Sequence, residues 1–470
     1  MKIEQIYTGC LAQGAYYITS GGEAAIVDPL RETAPYLERL ERDNVSLKYI
    51  FETHFHADFV SGHLDLHQQT GAEIVYGPNA VADFPHTSAT DGQEFTLGKV
   101  KIKVLHTPGH TMESSTFLLL DENGKSHAIF SGDTLFIGDV GRPDLAQKAA
   151  SKTKEELAAI LYNSLRTKIM TLPDEVIVYP AHGAGSACGK NMSKETISTI
   201  GEQKKSNYAL RQNMSEAEFI QEVTDGLLPP PAYFGMNVAM NKSGIVSFEK
   251  VLHNGMQKIP VAAFETVVSQ TGALILDTRP HSVFYKGFIP QSINIGIDGD
   301  FAPWVGALIG DVNQAIALVV VPGFEEETIT RLSRVGFDNL VGYLDGGFDA
   351  WKNAGYETET INRISAEQFA EAVTIGEDVV IDVRKESEYR ASHLGEAYSK
   401  PLAYINDWIR DLNPATHYYL HCAAGYRSMI AASILLSRGY RNFTEIEGGF
   451  NAIAQTNLPQ TDFVCQSKVL

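Results

Sequence analysis

Thr53-His54-Phe55-His56-Ala57-Asp58-Phe59 follows an apolar run, Leu47-Lys48-Tyr49-Ile50-Phe51, that reads as a buried strand ending in a loop. Two imidazoles and a carboxylate within five residues at a strand end can converge on one point, and this is the donor set a borderline divalent metal prefers. A lone His-x-His would be read as a polar turn. Here matching partners recur downstream, each just past an apolar run. They are His110 in Leu105-His106-Thr107-Pro108-Gly109-His110, Asp133 in Ile129-Phe130-Ser131-Gly132-Asp133, and His182 in Val178-Tyr179-Pro180-Ala181-His182. Strands of one sheet would deliver all of them to a common rim.

Read in order, H-x-H-x-D, H, D and H resemble the metallo-β-lactamase superfamily, which implies an αββα sandwich over roughly the first half of the chain. Two-metal hydrolases of that superfamily, such as glyoxalase II, carry a histidine directly after the aspartate, and this chain has Phe59. A phenyl ring has no lone pair for a metal. The resemblance therefore implies one metal, held by His54, His110 and Asp133, with His56, Asp58 and His182 orienting the ligands rather than binding. Two histidines and a carboxylate with the opposite face open form the facial triad of non-haem Fe(II) oxygenases, and the pattern resembles the persulfide dioxygenase branch. One Fe(II) per chain is the expected cofactor.

Further along, Gly138-Asp139-Val140-Gly141-Arg142-Pro143-Asp144 resembles the Gly-Arg-x-Asp segment of that branch. Arg142 could grip a carboxylate or be held by Asp144, and the resemblance favours a site-shaping role, which makes Arg142, with Cys188, a substrate-site candidate. Cys188 lies six positions past His182 in a Gly-rich loop followed by Lys190, a setting expected to lower its thiol pKa and suit it to relaying sulfane sulfur. Cys10 is a weaker candidate. His63 and His67, four apart after the metal loop, are expected on a helix surface.

Leu227-Leu228-Pro229-Pro230-Pro231 cannot continue a helix and marks a boundary. Beyond it the chain repeats. Ala273-Leu274-Ile275-Leu276-Asp277-Thr278-Arg279 returns 105 residues later as Asp378-Val379-Val380-Ile381-Asp382-Val383-Arg384, and Leu344-Asp345-Gly346-Gly347-Phe348 returns 102 residues later as Ile446-Glu447-Gly448-Gly449-Phe450. Two α/β modules of about a hundred residues follow from this spacing. D-x-R and G-G-F resemble the rhodanese family, a small parallel sheet covered by helices on both faces. In the second module Cys422-Ala423-Ala424-Gly425-Tyr426-Arg427-Ser428 joins a strand to a helix. Backbone N–H groups of Ala423, Ala424, Gly425, Tyr426 and Ser428 at the positive helix end would cradle a persulfide or anion, and Arg427 would add a charged donor. The first module has Pro322-Gly323-Phe324-Glu325-Glu326-Glu327 there and no cysteine, so it is expected to be catalytically silent. Cys465, in the C-terminal tail, is read as incidental.

The expected organisation is a metal domain over 1–235, a linker over 236–258, a silent rhodanese-like domain over 259–360 and an active one over 361–470. The whole resembles persulfide dioxygenase–rhodanese fusions. That implies oxidation of a low-molecular-weight thiol persulfide by O2 to sulfite, with Cys422 exchanging sulfur with sulfite or thiosulfate. A glyoxalase II-like thioester hydrolase with accessory rhodanese modules is the alternative, and a sulfur-carrying scaffold is a third reading. A net charge of −19 argues against nucleic acid as a partner. No apolar run is long enough for a bilayer, and the opening Met1-Lys2-Ile3-Glu4 lacks a signal-peptide core. Four cysteines in 470 residues make no disulfide framework. A cytoplasmic protein is expected, acting as a homo-oligomer.

Overall fold

A computed structural model describes residues 1–461; Cys465 lies outside them. The chain divides into two compact units, residues 1–248 with 333–336, and residues 249–332 with 337–470.

The first unit is built on two mixed sheets of six strands each, both with neighbours in sequence order. Lys2–Thr8, Gln13–Ser20, Glu23–Val27, Ser46–Glu52, Glu73–Tyr76 and Thr87–Ser88 form one. Glu94–Leu97, Val100–His106, Ser115–Leu120, Ser126–Gly132, Ile177–Pro180 and Ser198–Thr199 form the other. Strands with both faces covered read as near-continuous apolar runs, and three separate apolar clusters explain the layering. Tyr16, Phe51, Val75, Phe117 and Phe130 fill the space between the sheets. Tyr36, Leu40, Ile50 and Leu66 pack helices Ala34–Asp43 and His63–Thr70 outside the first sheet. Ala158, Leu161, Ile200 and Phe219 pack Lys154–Ser164, Ile200–Ser206 and Glu216–Thr224 outside the second. The result is the expected αββα sandwich.

The segment expected as a linker, 236–258, is largely helical. Helix Phe234–Ser243 belongs to the first unit, with Val238 packed on its core and Asn237 and Asn241 buried. A second helix covers Phe248–Gly255. The proline run stops a helix, but the chain after it folds back rather than spanning a gap.

In the second unit two five-stranded parallel sheets share one topology. Numbering each module's strands from its own start, both read 1-5-4-2-3. The repeated motifs lie against each other in both. Arg384 returns to Asp382 through its backbone N–H (3.0 Å) and guanidinium (2.6 Å), and its guanidinium lies 4.0 Å from the Phe450 ring. Arg279 does the same with Asp277 and Phe348, again at 4.0 Å. A buried ion pair capped by an aromatic face holds strand end to closing turn. This explains why D-x-R and G-G-F persist in the module without a cysteine. Among the described residues, no helix is long and apolar enough to cross a membrane.

Candidate metal centre and candidate persulfide cradle

His54, His110, Asp133 and His182 each follow the C-terminal end of a strand, and the backbone bonds Ser115 N–Thr53 O (2.9 Å) and Ala181 N–Gly132 O (3.1 Å) draw those ends together. His54, His110 and Asp133 place one ligand atom each within 4.8 Å of one another, all buried. Asp133 Oδ2 lies 3.4 Å from His110 Nε2 and 3.9 Å from His54 Nε2.

Hydrogen bonding decides which nitrogen faces the centre. Thr53 Oγ1 donates to Asp28 Oδ2 at 2.9 Å, so its oxygen is left to accept from His54 Nδ1 at 3.0 Å. His110 Nδ1 donates to the Arg142 carbonyl at 2.9 Å. Both protons therefore sit on Nδ1, and both Nε2 lone pairs point to the Asp133 side. Burial and the neighbouring imidazoles hold His54 well below the ordinary histidine range, in the neutral form a ligand needs. Both oxygens of Asp133 are buried without a hydrogen-bond partner. An orphaned carboxylate facing two imidazole lone pairs is costly unless a cation completes it, so these residues fit a divalent metal.

Two glycines allow this approach. A Cβ on Gly132 (φ +54°) would lie 2.6 Å from Thr53 Cβ, and one on Gly141 would lie 2.0 Å from the Asp133 carbonyl and 3.0 Å from His110 Nδ1. Arg142 is buried and paired with Asp144 (2.7 and 2.8 Å), and it also donates to the carbonyls of Ala187 and Leu228. Its guanidinium is thus committed to the protein, while its backbone carbonyl fixes His110. Of the two expectations for Arg142, the ion pair with Asp144 is the one formed, and it shapes the site through the main chain.

His56, Asp58 and His182 form an adjacent buried set. Burial disfavours a charged His182, yet Asp58 at 3.3 Å and Asp133 at 3.6 Å carry its pKa up to about 10. His56 likewise resists charge by burial and is carried up to about 10 by Asp28 (3.0 Å) and Glu52 (3.4 Å). Asp28 sits at φ +50°, a strained value for a non-glycine. Phe59 is fully buried and stacks on His56 with ring centroids 4.2 Å apart.

Three expectations need correction. Cys188 is 1 % exposed, and burial with Asp58 and Asp133 pushes its thiol well above the ordinary range, while Lys190 Nζ is spent on the carbonyls of Glu222 and Asp225. No cation from Lys190 lowers it. Its Sγ does lie within 4.8 Å of a donor atom of Asp133 and of His182. His63 is not a surface residue: it is buried with Nδ1 3.4 Å from Glu52. Asn241, read as part of a tether, is a buried clamp on the metal loop. Its side chain donates to the carbonyls of His56 (2.9 Å) and Phe59 (2.8 Å) and accepts from Ser61 N–H (2.9 Å). No local pattern marks it, since its partners are 180 or more positions away.

In the second unit, Cys422 is buried at the end of strand Tyr418–His421 and ahead of helix Tyr426–Ser437. Gly425 N–H donates to Cys422 Sγ at 3.1 Å, and Ser428 Oγ lies 3.4 Å from it. The carbonyls of Cys422 and Ala423 are tied back to Phe450 N–H (2.6 Å) and Asn451 N–H (3.0 Å). Arg427 differs from expectation. Its guanidinium forms a bidentate pair with Glu388 at 2.6 and 2.8 Å, so those donors are not free for a bound anion.

Comparison with known proteins agrees with this geometry. The metallo-beta-lactamase superfamily model matches residues 8–182, and the rhodanese-like domain model matches 262–354 and again 365–456. Human persulfide dioxygenase ETHE1, mitochondrial, is 32% identical over 223 residues, 47% of this chain and 78% of that one. The chain belongs to the metallo-beta-lactamase superfamily. It carries two rhodanese-like domains in addition. A hydroxyacylglutathione hydrolase from Tolumonas auensis is 37% identical over 171 residues, 36% of this superfamily member and 60% of the hydrolase. The chain thus spans under two thirds of that relative's length. A crystal structure of a metallo-beta-lactamase from Staphylococcus aureus subsp. aureus COL superposes with a TM-score of 0.64 at 31% identity, covering 73% of this chain and 98% of that one.

Proposed function

We propose that the chain is an Fe(II)-dependent persulfide dioxygenase coupled to a sulfurtransferase. The observation that carries this reading is Phe59. An aromatic ring stacked on His56 stands where a two-metal hydrolase has its additional imidazole, so the adjacent set of His56, Asp58 and His182 gains no further donor, while His54, His110 and Asp133 bring two Nε2 lone pairs and one carboxylate together. Ferrous iron held by His54, His110 and Asp133 would give triplet O2 a route to react with a closed-shell persulfide anion. The balance is one thiol persulfide, one O2 and one water giving thiol, sulfite and two protons. The protein's own contribution is to fix both imidazole tautomers through Thr53 and Arg142, and to keep the site dry. One Fe(II) per chain, a cytoplasmic setting and a homo-oligomer complete the proposal.

At the second site the Cys422 thiolate attacks the outer sulfur of thiosulfate. The sulfur–sulfur bond breaks, sulfite leaves with the electron pair, and Cys422 keeps the sulfane sulfur as a persulfide. The Gly425 N–H steadies the attacking sulfur, and the start of helix Tyr426–Ser437 favours negative charge there. Run in reverse, the same exchange consumes the sulfite made at iron, and both sites lie on one chain.

Likeness to hydroxyacylglutathione hydrolases favours a second reading, thioester hydrolysis. One experiment separates them. Protein loaded anaerobically with Fe(II) is assayed for O2 uptake on glutathione persulfide and for hydrolysis of S-lactoylglutathione without O2. His110→Ala and Asp133→Ala should abolish O2 uptake and keep thiosulfate sulfurtransfer. Cys422→Ser should keep O2 uptake and accumulate sulfite. Thioester hydrolysis with no persulfide-dependent O2 uptake would replace the dioxygenase reading.

A further inference from the structure

Behind the Cys422 loop lies a buried carboxylate that the sulfur exchange described above does not use. Glu445, on strand Phe443–Ile446, is fully buried. Its Oε2 accepts from Arg363 Nε at 2.7 Å, and its Oε1 lies 2.6 Å from Ser428 Oγ. Ser428 Oγ in turn lies 3.1 Å from the Gly425 carbonyl and 3.4 Å from Cys422 Sγ. The hydroxyl has one proton and three acceptors within reach. With the carboxylate ionised, the shortest and charged contact takes that proton, and the sulfur receives none from Ser428.

We infer that Glu445 is a positioning residue whose proton turns the Ser428 hydroxyl towards Cys422. Because Arg363 occupies Oε2, a proton on the carboxyl resides on Oε1 and donates to Ser428 Oγ. The serine proton is then released to the sulfur, where a thiolate or persulfide anion outcompetes the neutral Gly425 carbonyl. Burial outweighs Arg363 and Ser428 and lifts the Glu445 pKa to about 7, so the turn falls near neutrality. The first module has Tyr343 at the corresponding place, 102 residues earlier, and no cysteine to serve.

Other charged groups around this chain of bonds hold fixed partners. Glu447 directly follows the same strand, with its carboxylate 3.8 Å from Arg363. Arg427 on the cysteine helix is paired with Glu388, and Arg384 at the neighbouring strand end with Asp382. Burial holds His421 below the ordinary imidazole range, and does the same for His281, which would meet a Cβ placed on Gly425 at 3.4 Å. Among the described residues, Glu445 is therefore the carboxyl group that touches Ser428, opposite the Cys422 sulfur.

The inference rests on Cys422 being the sulfur-carrying nucleophile, but its test needs no sulfur donor. The full chain is alkylated with iodoacetamide across a pH series, and the rate at Cys422 is read from its own peptide by mass spectrometry. Wild-type protein should give a profile needing two ionisations. Glu445→Gln, whose amide donates permanently to Ser428, should reduce it to one, match wild type on the acid side and speed alkylation several-fold just above pH 7, where the wild-type carboxylate is ionised. Ser428→Ala should also give one ionisation but slow the acid-side rate. A wild-type profile fitted by a single ionisation overturns the inference without any variant. So does a shift of both variants in the same direction, which packing alone would produce. Loss of thiosulfate turnover with these profiles intact would count against the sulfurtransfer proposal only.

Discussion

Replacing Thr53 by valine tests how the metal centre is aimed. The side chain keeps its shape, so its contact with Gly132 survives, but the hydroxyl bridging Asp28 and His54 is lost. Asp28 stays anchored by Thr53 N–H at 2.8 Å and His56 Nε2 at 3.0 Å, which confines the damage to His54. A buried Nδ1–H without an acceptor costs about 1–3 kcal/mol. The imidazole can avoid that cost by shifting its proton or turning, and either move withdraws the Nε2 lone pair from Asp133. Loss of such an outer partner lowers metal affinity by about 10–100-fold, or about 1.4–2.8 kcal/mol at about 1.4 kcal/mol per tenfold. Chelator competition on anaerobically loaded protein reads this directly. Thr53→Ser, which keeps the hydroxyl, is the control and should bind like wild type. If Thr53→Val holds Fe(II) within twofold of wild type while Thr53→Ser does too, the hydroxyl does not set the tautomer and the reasoning fails.

Asn241→Ala removes three buried bonds to the metal loop and should weaken metal binding by about tenfold or more, with a stability loss of about 2–4 kcal/mol from the unsatisfied carbonyls and N–H; calorimetry and metal analysis check both. Phe59→His should raise bound metal above one ion per chain by mass spectrometry of reconstituted protein, and an unchanged ratio would show that the ring is not what limits occupancy. Gly141→Ala should lose metal altogether, since a Cβ there would lie 2.0 Å from the Asp133 carbonyl. Glu445 carries a raised folded pKa, about 7 against 4.5, so its contribution to stability is full below pH 4.5 and is lost as pH rises through 7. At about 1.4 kcal/mol per unit this is a few kcal/mol. Urea unfolding of the full chain should show that fall in its rhodanese transition, and Glu445→Gln should flatten it.

Much of the candidate metal centre is legible in the sequence. His54, His110, Asp133 and His182 each follow an apolar strand; Val100–His106 and Ser126–Gly132 both run antiparallel to Ser115–Leu120, and Ile177–Pro180 runs parallel to Ser126–Gly132, so His110, Asp133 and His182 leave one edge of their sheet. The repeat was equally legible, because D-x-R and G-G-F are local signatures of one buried ion pair against one aromatic ring. What escaped were partners set by long-range contact. Lys190 follows Cys188 closely in sequence but turns its ammonium to Glu222 and Asp225. Arg427 sits in the cysteine loop yet gives its fork to Glu388. His63 has the spacing of a surface residue and lies inside against Glu52.

Residue types and their order along the chain determined the candidate donor set, the candidate nucleophile and the two-module repeat, since each is a matter of which atoms follow which strand. Tertiary structure alone decided which nitrogen of each imidazole faces the metal, that Asn241 clamps the loop, and that Glu445 shares a serine with Cys422. Those depend on where a single hydroxyl or amide proton points. That direction is chosen by acceptors brought together only when distant segments pack and water is excluded.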